Sequence, residues 1–250
     1  MKGGEDQVLI GIHAVASALT TAPQRVRRLI LAEEFRNPRV QDLEQRARSL
    51  GIPVEHESRV ALDRRSGGER HQDVLAVFKA GNLCGERDLD ALLQAIEGPP
   101  LILVLDGVQD PHNLGACLRT AEAAGVHLVI MSKDHSAPLS PVARRAASGA
   151  AEVLNLAVVT NLARVLRELK RQGIWLVAAS DRAEQELYAA DLSGPLALVM
   201  GGEGQGLRRL TAELCDFHIR IPMHGTVGSL NVSVATAVCI YEIVRQRRMR

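Results

Sequence analysis

Three segments of this chain set polar side chains beside glycine or proline, each at or just after a short apolar run. The first is Asp106-Gly-Val-Gln-Asp-Pro-His-Asn113-Leu-Gly115-Ala-Cys-Leu-Arg119, which follows residues 101–105. Pro111 suits a helix entrance, Asn113 is placed to cap that helix, and Gly115 would admit another backbone close to its first turn. Arg119 lies six residues beyond Asn113, about one and two-thirds turns, so it need not share its face. The second is Gly201-Gly202-Glu203-Gly204-Gln205-Gly206, where four glycines in six positions let main-chain amides approach a ligand. Its spacing matches neither the dinucleotide fingerprint nor a phosphate loop. Glu203 would repel a phosphate and better suits a cationic or hydroxyl-bearing partner. The third runs through Ile219-Arg-Ile221-Pro-Met-His-Gly-Thr-Val-Gly-Ser229-Leu230-Asn231-Val-Ser, a short strand, a long loop and a helix start. Here Ser229 and Asn231 bracket Leu230, which reads as a buried position. Each segment also has a plainer reading: a capped helix with a surface arginine, a mobile turn, and a second helix cap.

Ligands of open α/β sheets bind beyond the carboxyl ends of strands, which is where these segments fall. The apolar runs 101–105, 126–131, 174–179 and 196–200 are short and apolar throughout, as in strands of a parallel sheet buried on both faces. Leu162, Val165, Leu166 and Leu169 recur at helical spacing, and 232–248 reads as a helix with a basic tail. Upstream, 12–20 and 39–50 read as helices, and 29–31, 52–54 and 74–78 as strands of a small α/β unit. Between these parts, Gly81, Gly85, Gly98, Pro99 and Pro100 surround a short charged piece. The expected division is therefore 6–79, a linker 80–97, and a larger α/β domain 98–250.

A net charge of +1 excludes a nonspecific coating protein for nucleic acid. Aromatic residues at 2% leave few platforms for base stacking. Up to residue 79 there are 13 Lys/Arg against 11 Asp/Glu, a difference of two, so the clusters Arg25, Arg27, Arg28 and Arg64, Arg65, Arg70 matter more than the total. Arg144 and Arg145 are further candidates. Cys84, Cys117, Cys215 and Cys239 are dispersed with no CxxC pair, which speaks against a disulfide scaffold or zinc site and for a reducing compartment. The N-terminal residues lack an apolar signal core, and no apolar run approaches a membrane span, so a cytoplasmic protein is expected.

Taken in order, Asn113…Arg119, Gly-Gly-Glu203-Gly and Ser229-Leu230-Asn231 resemble the signature motifs of the SpoU branch of the SPOUT methyltransferases. Gly11-Ile12-His13-Ala14-Val15 and His71-Gln72-Asp73-Val74 resemble the RNA-binding domain that precedes the catalytic domain in relatives acting on 23S rRNA, so the likeness covers nearly the whole chain. The resemblance implies an α/β fold: a C-terminal parallel-sheet α/β-knot domain with a deep trefoil knot, preceded by a small L30e-like α/β domain. It implies transfer of a methyl group from S-adenosyl-L-methionine to the 2′-hydroxyl of a guanosine ribose in 23S rRNA, releasing S-adenosyl-L-homocysteine and using no metal. A homodimer with active sites at the subunit interface is implied too, with residues 232–241 at that interface. The same resemblance makes Gly201, Ile221 and Leu230 the cofactor-binding positions. Arg119 becomes the catalytic arginine, gripping RNA phosphate and stabilising the developing alkoxide, since a guanidinium does not readily give up its proton. Asn113 and Glu203 would position Arg119 and the ribose, while Ser229 and Asn231 would orient substrate or shape the pocket. A tRNA or another rRNA remains an alternative substrate. A noncatalytic RNA-binding protein is the alternative of a different class, and an oxidoreductase is disfavoured because the first glycine-rich strand-to-helix turn is missing.

Overall fold

The computed structural model describes residues 6–21, 23–79, 83–204 and 206–249. Residues 80–82 of the expected linker and Gln205 of the glycine run lie outside them. The chain divides into two compact units: residues up to 82 with 148–153, and 83–147 with 154–250.

The first unit contains β1 (Asp6–Ile10), α1 (Ile12–Thr21), β2 (Val26–Ala32), α2 (Pro38–Ser49), β3 (Val54–Glu57), α3 (Arg59–Arg65) and β4 (Val74–Lys79). The strands lie in the order β1-β4-β2-β3, with only β2 and β3 parallel. Alternate residues of β2 enter two cores: Leu29 and Leu31 join Val15, Leu19, Val40 and Phe78, whereas Ile30 and Ala32 join Leu62 and Leu75. Both faces of the sheet are thus covered, which is why β2 reads as continuous apolar sequence rather than as an alternation. α2 begins where Asn37 accepts from the Arg39 N–H at 3.1 Å, with Pro38 in the first helical position. The two N-terminal motifs meet across the chain: Gln72 Oε1 accepts from the Ile12 N–H at 3.3 Å, and the Gly11 N–H donates to the Val74 carbonyl at 3.1 Å.

The second unit is built from β5 (Leu83–Cys84), α4 (Leu89–Gln94), β6 (Leu101–Asp106), α5 (Pro111–Ala123), β7 (Leu128–Ser132) and α6 (Pro141–Ala147). The short α7 (Ala150–Val153) groups with the first unit. There follow β8 (Leu156–Val159), α8 (Leu162–Arg171), β9 (Trp175–Ala179), β10 (Gln185–Glu186), β11 (Leu196–Gly201), α9 (Arg209–Leu214), β12 (Phe217–Arg220) and α10 (Val232–Arg248). The strands form one parallel sheet in the order β10-β12-β9-β11-β6-β7-β8-β5. The four expected runs are its long strands. β5, β8 and β10 are not legible in the sequence, because two to four residues carry too little periodicity to register. Residues 83–94 of the expected linker belong to this unit: β5 extends the sheet beside β8, and Leu89 and Leu93 are buried.

One face of the sheet presents Ile102, Val104, Ile130, Val159, Leu176 and Val199 to the apolar stripe of α8. That stripe is Leu162, Val165, Leu166 and Leu169, the four residues whose spacing marked it. On the other face α10 packs against α5 and β11, and the buried Cys117 thiol donates to Thr236 Oγ1 at 3.5 Å. Gly115 allows α6 to cross α5 closely, since a Cβ there would collide with the Ala143 carbonyl and the Ala146 methyl. Among the described residues no helix is long and apolar enough to cross a membrane.

Candidate active site

All the expected site residues lie in the second unit, on α5, at the end of β11 and on the segments that follow β11 and β12. Strands β6 and β11 run in parallel register, ending side by side at Asp106 and Gly201. The two segments stay in contact as they leave the sheet: the Gly202 N–H donates to the Asp106 carbonyl at 2.9 Å. A Cβ at Gly202 would overlap the Gly107 carbonyl, and one at Gly201 would overlap the backbone of Gly206 and Leu207. These glycines are therefore required by close approach of backbone to backbone.

Asn113 is not the helix cap. Asp110 holds that position, accepting from the His112 N–H at 2.9 Å, and Asn113 is the third residue of α5. Pro111 decides this, because a proline in the first helical position puts the cap immediately before it. Relieved of capping, the Asn113 side chain donates through Nδ2 to Glu203 Oε1 at 2.7 Å. Its Oδ1 accepts from Asn231 Nδ2 at 3.0 Å. Asn231 Oδ1 in turn accepts from the N–H of Ser233 at 2.9 Å and from its hydroxyl at 2.7 Å, which makes Asn231 the N-cap of α10. An ionised carboxylate only accepts, so Glu203 fixes which way the Asn113 amide points, and Asn113 fixes Asn231. Three segments of the chain are thereby joined in a hydrogen-bond line of one polarity.

Glu203 also takes the Gln109 N–H on Oε2 at 3.1 Å. Burial pushes its carboxyl upward, but the Asn113 amide and the backbone N–H groups of Glu203, Gln109 and Asp110 outweigh that. The net position is below the ordinary glutamate value. Arg119 and Ser229 are exposed, and among the described residues no hydrogen bond or ion pair ties either side chain to this line. Ile221 follows directly on β12 and is half-buried. Leu230, expected to be buried, is 37% exposed. Its loop stands off the sheet instead of folding into the core, so apolar character there marks surface rather than interior.

Two residues that sequence reasoning gave no role close the site. The Asp106 side chain is completely buried, and Arg208 binds it through Nε at 2.6 Å, through Nη2, and through its backbone N–H at 3.2 Å. A carboxylate ending a strand buried on both faces is a readable signal that a cation must come from elsewhere. Which cation it is cannot be read, since the partner lies 102 residues away. Burial raises the thiols of Cys117 to about 11 and of Cys239 to about 12, so neither is a thiolate nucleophile near neutrality. Among the described residues no three His, Cys, Asp or Glu side chains converge as metal ligands. In the first unit, Arg25 lies over the Phe78 ring, and Arg27, Arg28 and Arg65 pair with Asp6, Glu55 and Glu57. Arg64 and Arg70 of the expected clusters are exposed, and no ion pair holds them among the described residues.

Residues 100–241 match the model of the SpoU rRNA Methylase family, and residues 8–83 match that of the RNA 2′-O ribose methyltransferase substrate-binding domain. A Pseudomonas aeruginosa protein named 23S rRNA (guanosine-2′-O-)-methyltransferase RlmB is 54% identical over 237 residues, covering 95% of each chain. The protein of the same name from Pseudomonas putida is 51% identical over 242 residues, covering 97% of each. The crystal structure of the SpoU methyltransferase AviRb from Streptomyces viridochromogenes, in complex with the cofactor AdoMet, matches with a TM-score of 0.72. It is 24% identical and covers 98% of this chain and 92% of that one, a likeness of fold.

Proposed function

The chain belongs to the SpoU rRNA methylase family, and from this premise we propose that it methylates the 2′-hydroxyl of a guanosine ribose in 23S rRNA with S-adenosylmethionine. The observation that carries the reading is the Glu203–Asn113–Asn231 line, which assembles the three expected motifs at the carboxyl ends of β6, β11 and the segment after β12. When bound, S-adenosylmethionine supplies a methyl group made electrophilic by its sulfonium. The residues present fit it. Gly201 and Ile221 offer main-chain groups at strand ends, and Leu230 offers exposed apolar surface for an adenine ring.

The chain's own contribution is alignment, which is most of what an in-line displacement requires. Glu203, held ionised and already accepting two hydrogen bonds, acts as an anchor for Asn113 rather than as a proton acceptor. Asn113 and Asn231 orient the ribose, Ser229 shapes the pocket mouth, and Arg119 meets the RNA phosphate and the negative charge that develops on the attacking oxygen. Among the described residues Arg119 is not tied to the other site residues, and the reading includes a homodimer in which a second copy completes the site. The trefoil knot, a cytoplasmic location and RNA gripping by residues 6–79 belong to the same reading.

Mass-spectrometric mapping of ribose methylation in 23S rRNA and tRNA, from cells with and without the gene, tests the substrate. One guanosine 2′-O-methyl group lost from 23S rRNA is expected. Loss confined to tRNA, or no loss, overturns the reading. Mixing Arg119→Ala and Asn113→Ala subunits tests the shared site, because activity should reappear in the mixture only if two copies build it.

A further inference from the structure

We propose that Asp106 and Arg208 form a latch that holds the glycine-rich loop shut, making Arg208 a positioning residue for both Glu203 and the main-chain cradle at Gly201. The latch rests on the proposed function only in taking S-adenosylmethionine as the ligand of that cradle.

Asp106 ends β6 inside a sheet flanked by β7 and β11, and none of its side chain is exposed. An ionised carboxylate in such a place is costly unless a cation and hydrogen bonds meet it. Arg208 supplies both, with Nε at 2.6 Å and Nη2 on Oδ1, and its own backbone N–H on Oδ2 at 3.2 Å. Each Asp106 oxygen is thus engaged by one residue, and that residue lies at the far end of the glycine loop.

The loop's near end is tied to the same aspartate. Gly201 pairs with Asp106 in the sheet register, and the Gly202 N–H donates to the Asp106 carbonyl. The loop therefore leaves the sheet at Gly201, beside Asp106, and comes back to Asp106 at Arg208. Inside this ring the Gly206 N–H donates to the Gly202 carbonyl at 3.1 Å, and the backbone of Gly206 and Leu207 lies against Gly201 with no room for a side chain. The ring also carries Glu203 to Gln109 and Asn113. Opening the Arg208 end would release the backbone pressed on Gly201 and the turn that aims Glu203. A loop so rich in glycine has a large conformational entropy to lose on closing, so a latch at its end does more than one in a stiffer loop would.

Arg208 is 45% exposed, so the competing role for its guanidinium is to grip an RNA phosphate. The two roles predict different readouts. The full-length protein and its Arg208→Ala, Arg208→Lys and Asp106→Asn variants would be compared in three measurements. These are calorimetric S-adenosylmethionine affinity without RNA, amide hydrogen exchange of residues 201–208 in the free protein, and steady-state constants for RNA at saturating S-adenosylmethionine. Losing a charge-assisted pair should weaken S-adenosylmethionine binding about tenfold and speed exchange in the loop by a similar factor in Arg208→Ala. Exchange elsewhere in the sheet should be unchanged. Arg208→Lys, which keeps the charge without the fork, should recover part of both losses. The KM for RNA should stay within about twofold of wild type.

Unchanged loop exchange in Arg208→Ala and Arg208→Lys overturns the latch. A raised KM for RNA with unaltered S-adenosylmethionine affinity overturns it in favour of phosphate binding. A uniform rise in exchange across the sheet overturns it in favour of a purely structural role, and Arg208→Lys decides this point if Asp106→Asn does not fold. If wild type binds S-adenosylmethionine but methylates no RNA, the proposed function fails while the exchange and affinity results still decide the latch.

Discussion

The two ends of the eight-stranded sheet each hold an arginine, and they use it differently. At the carboxyl end Arg208 meets a buried carboxylate, and the groups around it are glycines, amides and an ionised glutamate. At the amino end Arg247 of α10 meets carbonyls, donating to Pro99 at 2.9 Å, Pro100 at 2.8 Å and Gly194 at 2.7 Å. Those carbonyls lie just before β6 and β11, the strands whose other ends carry the site. Burial lowers the Arg247 pKa from its ordinary value. The amino end therefore uses a cation to fasten a helix to strand starts. The carboxyl end uses one to fasten a loop that must stay shaped but accessible. One sheet supplies both a stable end and a working end.

Substitutions at the two ends should therefore separate activity from stability. Arg119→Ala should cost the most, roughly two to three orders of magnitude in kcat, with S-adenosylmethionine affinity and melting temperature unchanged. Single-turnover methylation beside calorimetry checks this, and lost cofactor affinity with intact turnover would contradict it. Gly202→Ala comes next. Its methyl group must displace the Gly107 carbonyl, so about 1–3 kcal/mol of stability should go together with most of the S-adenosylmethionine binding, measured by urea unfolding and calorimetry. Arg247→Ala strands three carbonyls and should lower stability by about 1–3 kcal/mol while leaving S-adenosylmethionine affinity and kcat near wild type. A large loss of affinity in that variant would break the comparison.

The smallest effect is a pH dependence. Glu203 has its pKa lowered in the folded protein, so the stability it contributes is present above its unfolded value of about 4.3. That contribution is lost as pH falls through the lower folded value. Melting curves of wild type and Glu203→Gln should differ by a small constant amount near neutrality and converge only below the ordinary glutamate range. A difference that vanishes well above pH 5 would mean that Glu203 is not held by Asn113 and the backbone.

Much of this could be read locally. Runs such as 101–105 and 196–200 declared strands buried on both faces, because stretches with no polar alternation have no solvent side. The four apolar residues of α8 declared its buried stripe, and 232–248 declared the helix α10, with Ser229 and Asn231 both open as its cap. The motif residues were also recognisable in order, including Asn113, Glu203 and Asn231. Local pattern misled in two places. Asn113 resembled a cap because it is a capping residue near a proline, and Leu230 resembled core because it is a leucine between polar neighbours.

What only the tertiary structure decided is which of these groups touch. Pro111 makes Asp110 the cap and frees Asn113 for a glutamate 90 residues away. Strand order sets Gly201 beside Asp106, and with it the Asp106–Arg208 pair and the glycines that no side chain could replace. The physical reason is one of range. Helix period, strand burial and caps are set by neighbours within a few residues, so composition and spacing carry them. A hydrogen bond between loops depends on which strands lie side by side, and that order is settled by the packing of the whole sheet.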